Sequence, residues 1–525
     1  MQNVQQKHIV IVGGGSAGWL TAGLIAAKFQ SQSPPFFKVT LVESPDVSTV
    51  GVGEGTWPSM RHSLQQIGLS EIEFITHCDA SFKQGSSFSG WRNGQTDDHY
   101  VHPFTTPPGY LETDLAAGWQ SLYPTRQYAD IVSAQSHVCN AQKAPKQLQT
   151  PEYAGVTNYG YHFNADKFVE LLKSHCITKL GVEHLVDHVS GVVAHENNDI
   201  QAVLCKQSGK LAGDLFIDCS GMRALLIGDH YNSRWIDQQH ILFNDSAIAT
   251  RAPYSDQGAD IASTTIATAK TAGWIWDIGL QNRKGVGYVY SSQHCSDEQA
   301  QQQLLDYLNK HLSADQAAQI QPRKLSFKPG YREHFWVGNC VAVGMSAGFI
   351  EPLEASALAL VELSVNMLCD HLPSTFEQMP VVRKRFNQRF TYRWQRVIDF
   401  IKLHYVISER NDSAYWRDNR APESFPESLQ ELLAVWQHQA PSRYDFIENE
   451  EVFPSASYQY VLYGMQFKTQ FKPSRTQAHE IAQCQRLFAH NQEQVAKLLH
   501  GLPSNRQWLT SKIAPELTAV GYANA

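Results

Sequence analysis

At the start of the chain, apolar and polar positions follow the order strand, helix, strand. The segment HIVIVGG is a short apolar run that ends in glycines, which is typical of a buried strand. GSAGWLTAGLIAAKF has helical composition, and FKVTLVES is a second apolar run that ends near Glu43. Parallel strands joined by a helix form a βαβ unit, so the chain is predicted to open with one.

Farther along the chain the pattern changes from mixed to mainly helical. NADKFVELLKSHCITKL has helical spacing, and residues 182–221 read as strands with a hairpin. After residue 375 long helical patterns dominate. We therefore predict an α/β body over residues 1–375 and a mainly helical C-terminal region over residues 376–525.

The segment TAGWIWDIGLQNRKG places Trp274, Trp276 and Ile278 at every second position. In a strand this spacing puts all three side chains on one face. Taken alone, the pattern fits a half-buried strand with large core residues, and it also fits an aromatic wall beside a site.

Composition and charge narrow the class of protein. Hydrophobic residues make up 42% and charged residues 18%, and the net charge of −7 includes no long block of either sign, which argues against a nucleic-acid partner. The nine cysteines are dispersed without metal-like pairing, so we expect free thiols in a reducing compartment. The N-terminal residues lack a signal-peptide pattern, and no apolar run approaches the ~18 residues of a spanning helix. A cytoplasmic protein without a membrane partner is the expectation.

A glycine fingerprint follows the first strand. Gly13, Gly15 and Gly18 form G-x-G-x-x-G at the turn into the first helix, and Glu43 ends the next strand. This arrangement lets backbone and helix N–H groups approach a pyrophosphate, while the carboxylate can bind ribose hydroxyls. A second small-residue turn, at Gly344, leads towards an apolar helix and favours the long cofactor FAD over NAD.

Six segments of this chain resemble the flavin-dependent tryptophan halogenases, from about residue 8 to about residue 465. They are GGGSAGWLTA, GVGEGTWP, DASFKQGSSFSGW, DLFIDCSGMRALL, GWIWDIGL and NCVAVGMSAGFIEPLEASAL. The resemblance implies an FAD-binding Rossmann-like body of the flavin monooxygenase type, with the helical region completing a substrate chamber. The candidate cofactor-binding residues are Gly13, Gly15, Ser16, Ala17, Gly18, Glu43, Gly53, Glu54, Gly344 and Met345.

The resemblance also implies a reaction. A separate flavin reductase supplies FADH2, and chloride or bromide is oxidised at the flavin to hypohalous acid. This acid passes through a tunnel and halogenates an electron-rich aromatic compound of the indole type, which includes tryptophan. Trp274, Trp276 and Ile278 would form the wall between flavin and substrate, and a homodimer is expected by the same analogy.

Two residues match the catalytic pair of the resembled family. Lys83 would hold hypohalous acid as an ammonium group or form a haloamine as a neutral amine. Glu354 would stabilise the cationic ring or accept its proton, with Glu351 as the weaker candidate. No metal site is expected.

The halide segment departs from the family pattern. Where the family reads Ser-Thr-Gly, this chain reads Ala355, Ser356 and Ala357, and Gly279 replaces the proline that ends the tryptophan motif. The halide-binding N–H groups map to Ser356 and Ala357, and alanine disfavours the positive φ that glycine allows. We therefore expect altered halide binding, with bromide used better than chloride.

Aromatic residues supply the remaining substrate contacts. His102 and Phe104 match a pair that stacks on indole in the resembled family, and Phe453, Tyr458 and Tyr460 fall in a second substrate segment. Two alternatives stay open: a flavin monooxygenase that hydroxylates its substrate directly, and a flavin-binding protein without catalysis.

Overall fold

The computed structural model describes residues 7–29, 36–46, 53–256, 258–372, 378–448, 450–472 and 477–519. The strands are β1 Lys7–Val12, β2 Phe37–Glu43, β3 Gly53–Gly55, β4 Ser81–Lys83, β5 Gly85–Ser89, β6 His99–Pro103, β7 Gly160–Asn164, β8 Glu183–Val186, β9 Val189–Ala194, β10 Ile200–Cys205, β11 Gly209–Ala212, β12 Leu215–Asp218, β13 Trp235–Asp237, β14 Ser246–Ala252, β15 Thr265–Lys270, β16 Gly273–Gly279, β17 Lys284–Tyr290, β18 Arg323–Ser326, β19 Gly330–Arg332, β20 Trp336–Val337, β21 Cys340–Ala342 and β22 Gly348–Phe349.

Helices cover much of the rest of the described chain. They are α1 Ser16–Phe29, α2 Ser59–Ile67, α3 Glu71–His77, α4 Leu115–Leu122, α5 Tyr128–Val132, α6 Ala134–Asn140, α7 Ala165–Thr178, α8 Asp297–Leu308, α9 Ala314–Ala318, α10 Ser356–His371, α11 Met379–Val406, α12 Ala414–Asp418, α13 Glu427–Trp436, α14 Ser455–Gly464, α15 Gln477–Gly501 and α16 Asn505–Ala519. Within the described residues, no helix has the length and apolar character needed to cross a membrane.

A six-stranded sheet in the order β20-β21-β12-β1-β2-β8 forms the first layer. Its pairs are parallel except for β20 with β21. Strands β1 and β2 lie side by side and are joined through α1, which confirms the predicted βαβ unit. Parallel strands direct their carboxyl ends to one edge, which places the glycine turn where a nucleotide binds in such folds.

A second, seven-stranded sheet has the order β18-β14-β17-β16-β15-β5-β6 and is antiparallel apart from β15 with β5. A small sheet of β3, β7 and β4 carries Lys83 at the end of β4. Three further strands, β9 to β11, form the predicted hairpin region.

The C-terminal region is helical, as predicted, and its side chains join the main core. Ile9 on β1, Trp274 on β16 and Phe400 on α11 belong to one continuous cluster of buried hydrophobic residues. The α/β body with a helical C-terminal region is therefore confirmed as the fold class. The domain boundary near residue 375 stays a prediction.

Candidate active site

The turn between β1 and α1 has the shape of a pyrophosphate cradle. Gly13 has a φ of 117°, and a Cβ atom there would lie 2.2 Å from the Cys219 carbonyl oxygen. A Cβ at Gly18 would lie 1.9 Å from the Gly13 oxygen, so both glycines are required by close backbone packing. At Gly15 nothing lies within 4 Å of the added Cβ, so the turn is open in front of the α1 N–H groups that begin at Ser16.

Glu43 ends β2 directly beside this turn, because a Cβ at Gly14 would lie 1.8 Å from its Oε2. Its carboxylate accepts hydrogen bonds from Lys173, from Trp19 Nε1 at 3.3 Å and, when that ring nitrogen is protonated, from His184 Nε2 at 2.8 Å. These partners fix the carboxylate at the end of the strand, where the ribose of a dinucleotide would lie.

Two later turns close on the start of α1. Gly344 has a φ of 77°, and a Cβ there would come within 2.7 Å of Ala17 Cβ. Met345 is exposed, and its terminal methyl group lies 3.7 Å from the position of a Cβ on Gly221. The turns at Gly15, Gly221 and Gly344 thus meet beside the start of α1. The backbone N–H groups at this open side of the cradle fit FAD.

Gly53 and Glu54 lie on β3, beside the tryptophan strand. A Cβ at Gly53 would lie 3.5 Å from Ile278 Cγ2, so β3 packs against β16. Burial, with a contribution from Asp166, raises the pKa of Glu54 to about 7. Their role in cofactor binding stays a prediction.

Lys83 is fully buried, and its Nζ is without a hydrogen-bond partner among the described residues. It lies 5.4 Å from the centre of the Phe104 ring. Burial lowers the pKa of Lys83 to about 8, while Glu354 opposes that shift. A buried amine without a partner is costly, which points to a group kept for chemistry rather than for stability.

A small internal cavity of about 10 Å³ lies beside this amine, and it has room for one water-sized species. The residues that line it are Lys83, Ser86, Phe88, Thr265, Ala267, Trp274, Pro352, Leu353, Glu354 and Ala355. The structure therefore brings together both predicted catalytic residues and the first tryptophan of the predicted wall.

Glu354 is held by polar contacts on both carboxylate oxygens. Its Oε2 accepts a hydrogen bond from Ser86 Oγ at 2.7 Å, and its Oε1 lies 2.6 Å from His102 Nδ1 and 3.6 Å from His404 Nε2. Burial acts to raise the pKa of Glu354, but His102 and His404 outweigh it and hold the pKa well below its usual range. The carboxylate is therefore ionised at neutral pH.

His102 links Glu354 to the C-terminal region. Its Nδ1 faces Glu354, and its Nε2 lies 2.9 Å from Ser457 Oγ on α14. Both ring nitrogens are thus engaged, an arrangement that a purely stacking residue would not need. The expected stacking on substrate stays a prediction.

The halide segment corrects one expectation. Positive φ occurs at Glu354, with 67°, and at Ala355, with 54°, whereas Ser356 and Ala357 form the first turn of α10. Ala357 has helical geometry, so the argument that alanine disfavours a positive φ does not apply at this position, and halide binding by Ser356 and Ala357 stays a prediction. The strained alanine is Ala355, two residues earlier.

Strand β16 is buried along its whole length, on both faces. Trp274 lines the Lys83 cavity, Trp276 packs over Gly287, and Ile278 contacts the β3 backbone at Gly53. The strand therefore spans from the lysine side to the segment expected at the cofactor, as a separating wall requires.

Aromatic side chains also lie near the backbone of Glu354. Trp57 Nε1 donates to the Glu354 carbonyl oxygen at 2.7 Å, and Phe453 lies 4.7 Å from the Trp57 ring in an edge-on arrangement. Both Phe453 and Tyr458 are buried in the core, where their rings lie 3.8 and 4.8 Å from that of Phe400. The substrate roles of Phe453 and Tyr458 stay predictions.

Sequence reasoning missed several polar residues around Glu354. These are Ser86, His404 and Ser457. A fourth is Thr265, whose Oγ1 lies 2.8 Å from Nε2 of His162, a buried histidine next to Lys83. Ser86 was findable because it follows Lys83 within the quoted motif. The other three lie on distant elements and have no local signal.

Comparison with known proteins agrees with this geometry. The tryptophan halogenase family model matches residues 8–480. A crystal structure of a tryptophan halogenase from Shewanella frigidimarina NCIMB 400 is 47% identical, covers 97% of this chain and 98% of its own, and superposes with a TM-score of 0.94. Tryptophan 6-halogenase SttH from Streptomyces toxytricini is 32% identical over 88% of this chain and 90% of its own length.

Tar14, a tryptophan C-6 flavin-dependent halogenase (chlorinase) from taromycin biosynthesis, is 30% identical, covers 97% of this chain and all of its own, and has a TM-score of 0.88. The match over nearly the whole chain leaves one assignment. This chain belongs to the tryptophan halogenase family, whose members are flavin-dependent halogenases.

Proposed function

We propose that this protein halogenates an electron-rich aromatic compound of the indole type, using chloride or bromide and reduced FAD delivered by a separate reductase. The observation that carries the proposal is the buried Lys83 amine, which has no hydrogen-bond partner in the described part of the chain and shares its cavity with Glu354 and Trp274. The names of similar proteins support tryptophan or a related indole as the substrate class.

The cradle residues would hold the cofactor. The α1 N–H groups and Gly15 would face the pyrophosphate, and Glu43 the ribose. Reduced FAD, when bound, supplies with oxygen the oxidising power that converts halide into hypohalous acid. The chain's own residues then determine where that acid goes and what it meets.

Lys83 receives the hypohalous acid. With a pKa of about 8, its amine is mostly an ammonium group at pH 7 and donates a hydrogen bond to the oxygen of the acid. The ring carbon forms a bond to halogen while the halogen–oxygen bond breaks. The oxygen leaves as water after taking a proton from Lys83, which becomes a neutral amine.

Glu354 completes the substitution. Its ionised carboxylate stabilises the cationic ring and accepts the proton from the halogenated carbon at the oxygen opposite its histidine contacts. His102 and Ser86 fix the carboxylate, so it needs no reorientation during the step. Return of this proton to the Lys83 amine restores both residues for the next turnover.

The tryptophan strand keeps substrate away from the flavin. The rings of Trp274 and Trp276 are buried, and Trp274 lines the cavity beside Lys83, so large side chains stand along this strand on the Lys83 side. A wall of this kind prevents direct oxygen transfer from the flavin to the aromatic compound.

The test supplies the protein with FAD, a flavin reductase, NADH, oxygen and either chloride or bromide, and screens indoles by mass spectrometry. We expect a halogen isotope pattern that disappears in Lys83→Ala. The matched control is Lys328→Ala, which removes an exposed lysine paired with Asp237. A product that gains one oxygen and survives Lys83→Ala would show a monooxygenase instead, and FAD binding with no product would show a non-catalytic flavoprotein.

A further inference from the structure

Glu351 lies at the centre of a buried hydrogen-bond network next to the Lys83 cavity. Its Oε2 accepts from Trp274 Nε1 at 2.7 Å, from Tyr405 Oη at 2.7 Å and from Asn244 Nδ2 at 2.8 Å. Tyr415 Oη in turn donates to Asn244 Oδ1 at 3.0 Å. One carboxylate oxygen therefore gathers donors from a strand, a loop and a helix.

Fold stability alone does not explain this network. The other carboxylate oxygen, Oε1, is buried without a hydrogen-bond partner among the described residues. Lys402 is the cation that acts on Glu351, but its Nζ donates to the Ile241 carbonyl oxygen and to Asn419 Oδ1 instead. A buried, half-satisfied carboxylate costs free energy that an apolar side chain would not, so a functional reason is needed.

The indole of Trp274 supplies that reason. Its ring lines the cavity beside Lys83 and Glu354, and its N–H points at Glu351. Around it the neighbouring rings of Trp276 and Trp91 stand at tilted angles with centres about 6.5 and 6.4 Å away. The hydrogen bond to Glu351 adds a directional contact to this ring packing and restrains the rotation of the Trp274 ring.

Glu351 also begins the segment that carries the catalytic carboxylate. Pro352 and Leu353 line the same cavity, and Glu354 and Ala355 follow in left-handed conformations. A single side chain therefore ties the tryptophan wall to the turn that aims Glu354. Changes at Glu351 would act on both the Trp274 ring and the turn that carries Glu354.

We propose that Glu351 is a positioning residue that holds the Trp274 ring in place beside the Lys83 cavity, so that hypohalous acid is kept at Lys83 rather than leaking to solvent. The inference rests on the proposed halogenase function. It predicts a specific defect: flavin oxidation continues while the yield of halogenated product per flavin oxidised decreases.

The test compares Glu351→Leu, Glu351→Gln and Trp274→Phe by two readouts. The first is the ratio of halogenated product to NADH consumed, with free hypohalous acid measured by a chemical trap. The second needs no flavin: the ¹⁵N-indole NMR signal of Trp274, assigned by its loss in Trp274→Phe, reports the hydrogen bond directly.

We expect Glu351→Leu to lower the product ratio roughly tenfold, with more trapped acid and an unchanged rate of NADH consumption. Glutamine keeps an acceptor oxygen for Trp274, so Glu351→Gln should restore most of the ratio and of the NMR shift. Trp274→Phe keeps a smaller aromatic ring without the N–H donor and should fall between them. Tyr405→Phe, which removes a different donor from the same oxygen, serves as the matched control and should keep the wild-type ratio.

Four outcomes would overturn the assignment: an unchanged product ratio in Glu351→Leu, no restoration by glutamine, an unmoved NMR signal, or an equal loss in Tyr405→Phe. An equal loss in Tyr405→Phe would show that the hydrogen-bond network has only a structural role. If the wild-type enzyme itself gives no halogenated product, the proposed function fails first, and the delivery role fails with it.

Discussion

His102 holds the Glu354 carboxylate through one ring nitrogen and reaches Ser457 through the other. Resemblance alone assigned this residue to stacking on substrate, a role that uses only the faces of the ring. Two hydrogen bonds at opposite nitrogens fix the ring in its plane and orient the carboxylate beside it. Orientation of Glu354 is therefore the role that the geometry favours.

Replacing His102 by phenylalanine separates these two roles. Phenylalanine retains a flat ring that can stack, but it loses both hydrogen bonds and leaves Glu354 with Ser86 and His404. We expect kcat for halogenation to decrease about 10²-fold with a small change in KM, the range typical of a lost acid–base arrangement. Steady-state kinetics with the substrate found in the indole screen measures this split.

His99→Phe is the control, because it makes the same substitution on the same strand, at a partly exposed position. It should leave kcat within about twofold of the wild type, as a surface change usually does. A His102→Phe enzyme with normal kcat and a raised KM would show that stacking, not orientation, is the role of this histidine.

The β1–α1 turn is the element that the sequence predicts most fully. Its glycine spacing, the apolar strand before it and the helical segment after it are all local signals, and the structure contains each of them. What spacing alone does not reveal is that the three glycines serve different purposes. Gly13 and Gly18 allow backbone to pack on backbone, whereas Gly15 leaves open space.

Alanine substitutions at two of these glycines should therefore have opposite consequences. Gly18→Ala places a methyl group 1.9 Å from the Gly13 carbonyl oxygen, so the helix must move and the protein should lose stability. Gly15→Ala meets no atom within 4 Å, so the fold should persist while the methyl group obstructs the pyrophosphate.

Thermal unfolding without FAD and FAD titration by fluorescence measure these two effects. We expect Gly15→Ala to keep its unfolding temperature and to bind FAD about tenfold more weakly, a loss of about 1.4 kcal/mol. Wild-type FAD affinity in Gly15→Ala would place the pyrophosphate elsewhere.

At the scale of the whole molecule, the site forms only when two sheets and one turn pack together. Lys83 comes from a three-stranded sheet, Trp274 from the seven-stranded sheet and Glu354 from the turn before α10. Local motifs therefore predicted the members of the site. The cavity, the histidine contacts of Glu354 and the Glu351 network depend on packing between distant segments, which no local pattern encodes.

This assembly buries Lys83 at a cost to the fold, and the cost depends on pH. The pKa of Lys83 falls from 10.5 to about 8, so the unfolded chain binds this proton below about pH 10.5 and the folded chain only below about pH 8. The penalty is therefore complete below pH 8 and fades as the pH rises towards 10.5. The pKa shift corresponds to a free-energy penalty of about 3 kcal/mol at pH 7 and about half of that at pH 9.5.

Lys83→Met removes the charge while keeping similar length and volume, so it should stabilise the protein most at low pH. Loss of the electrostatic attraction to Glu354 offsets part of the gain, but Glu354 stays ionised from pH 7 to 9.5 because its pKa is held low. The pH dependence of this stability gain therefore reports the protonation of Lys83 itself.

Urea unfolding at pH 7 and pH 9.5 measures the free energy of unfolding of each variant. Lys328→Met changes an exposed lysine in the same way, and this control should show no such trend. A stability gain that is the same at both pH values would mean that Lys83 is charged throughout in the folded protein, and that the ordinary lysine pKa survives burial.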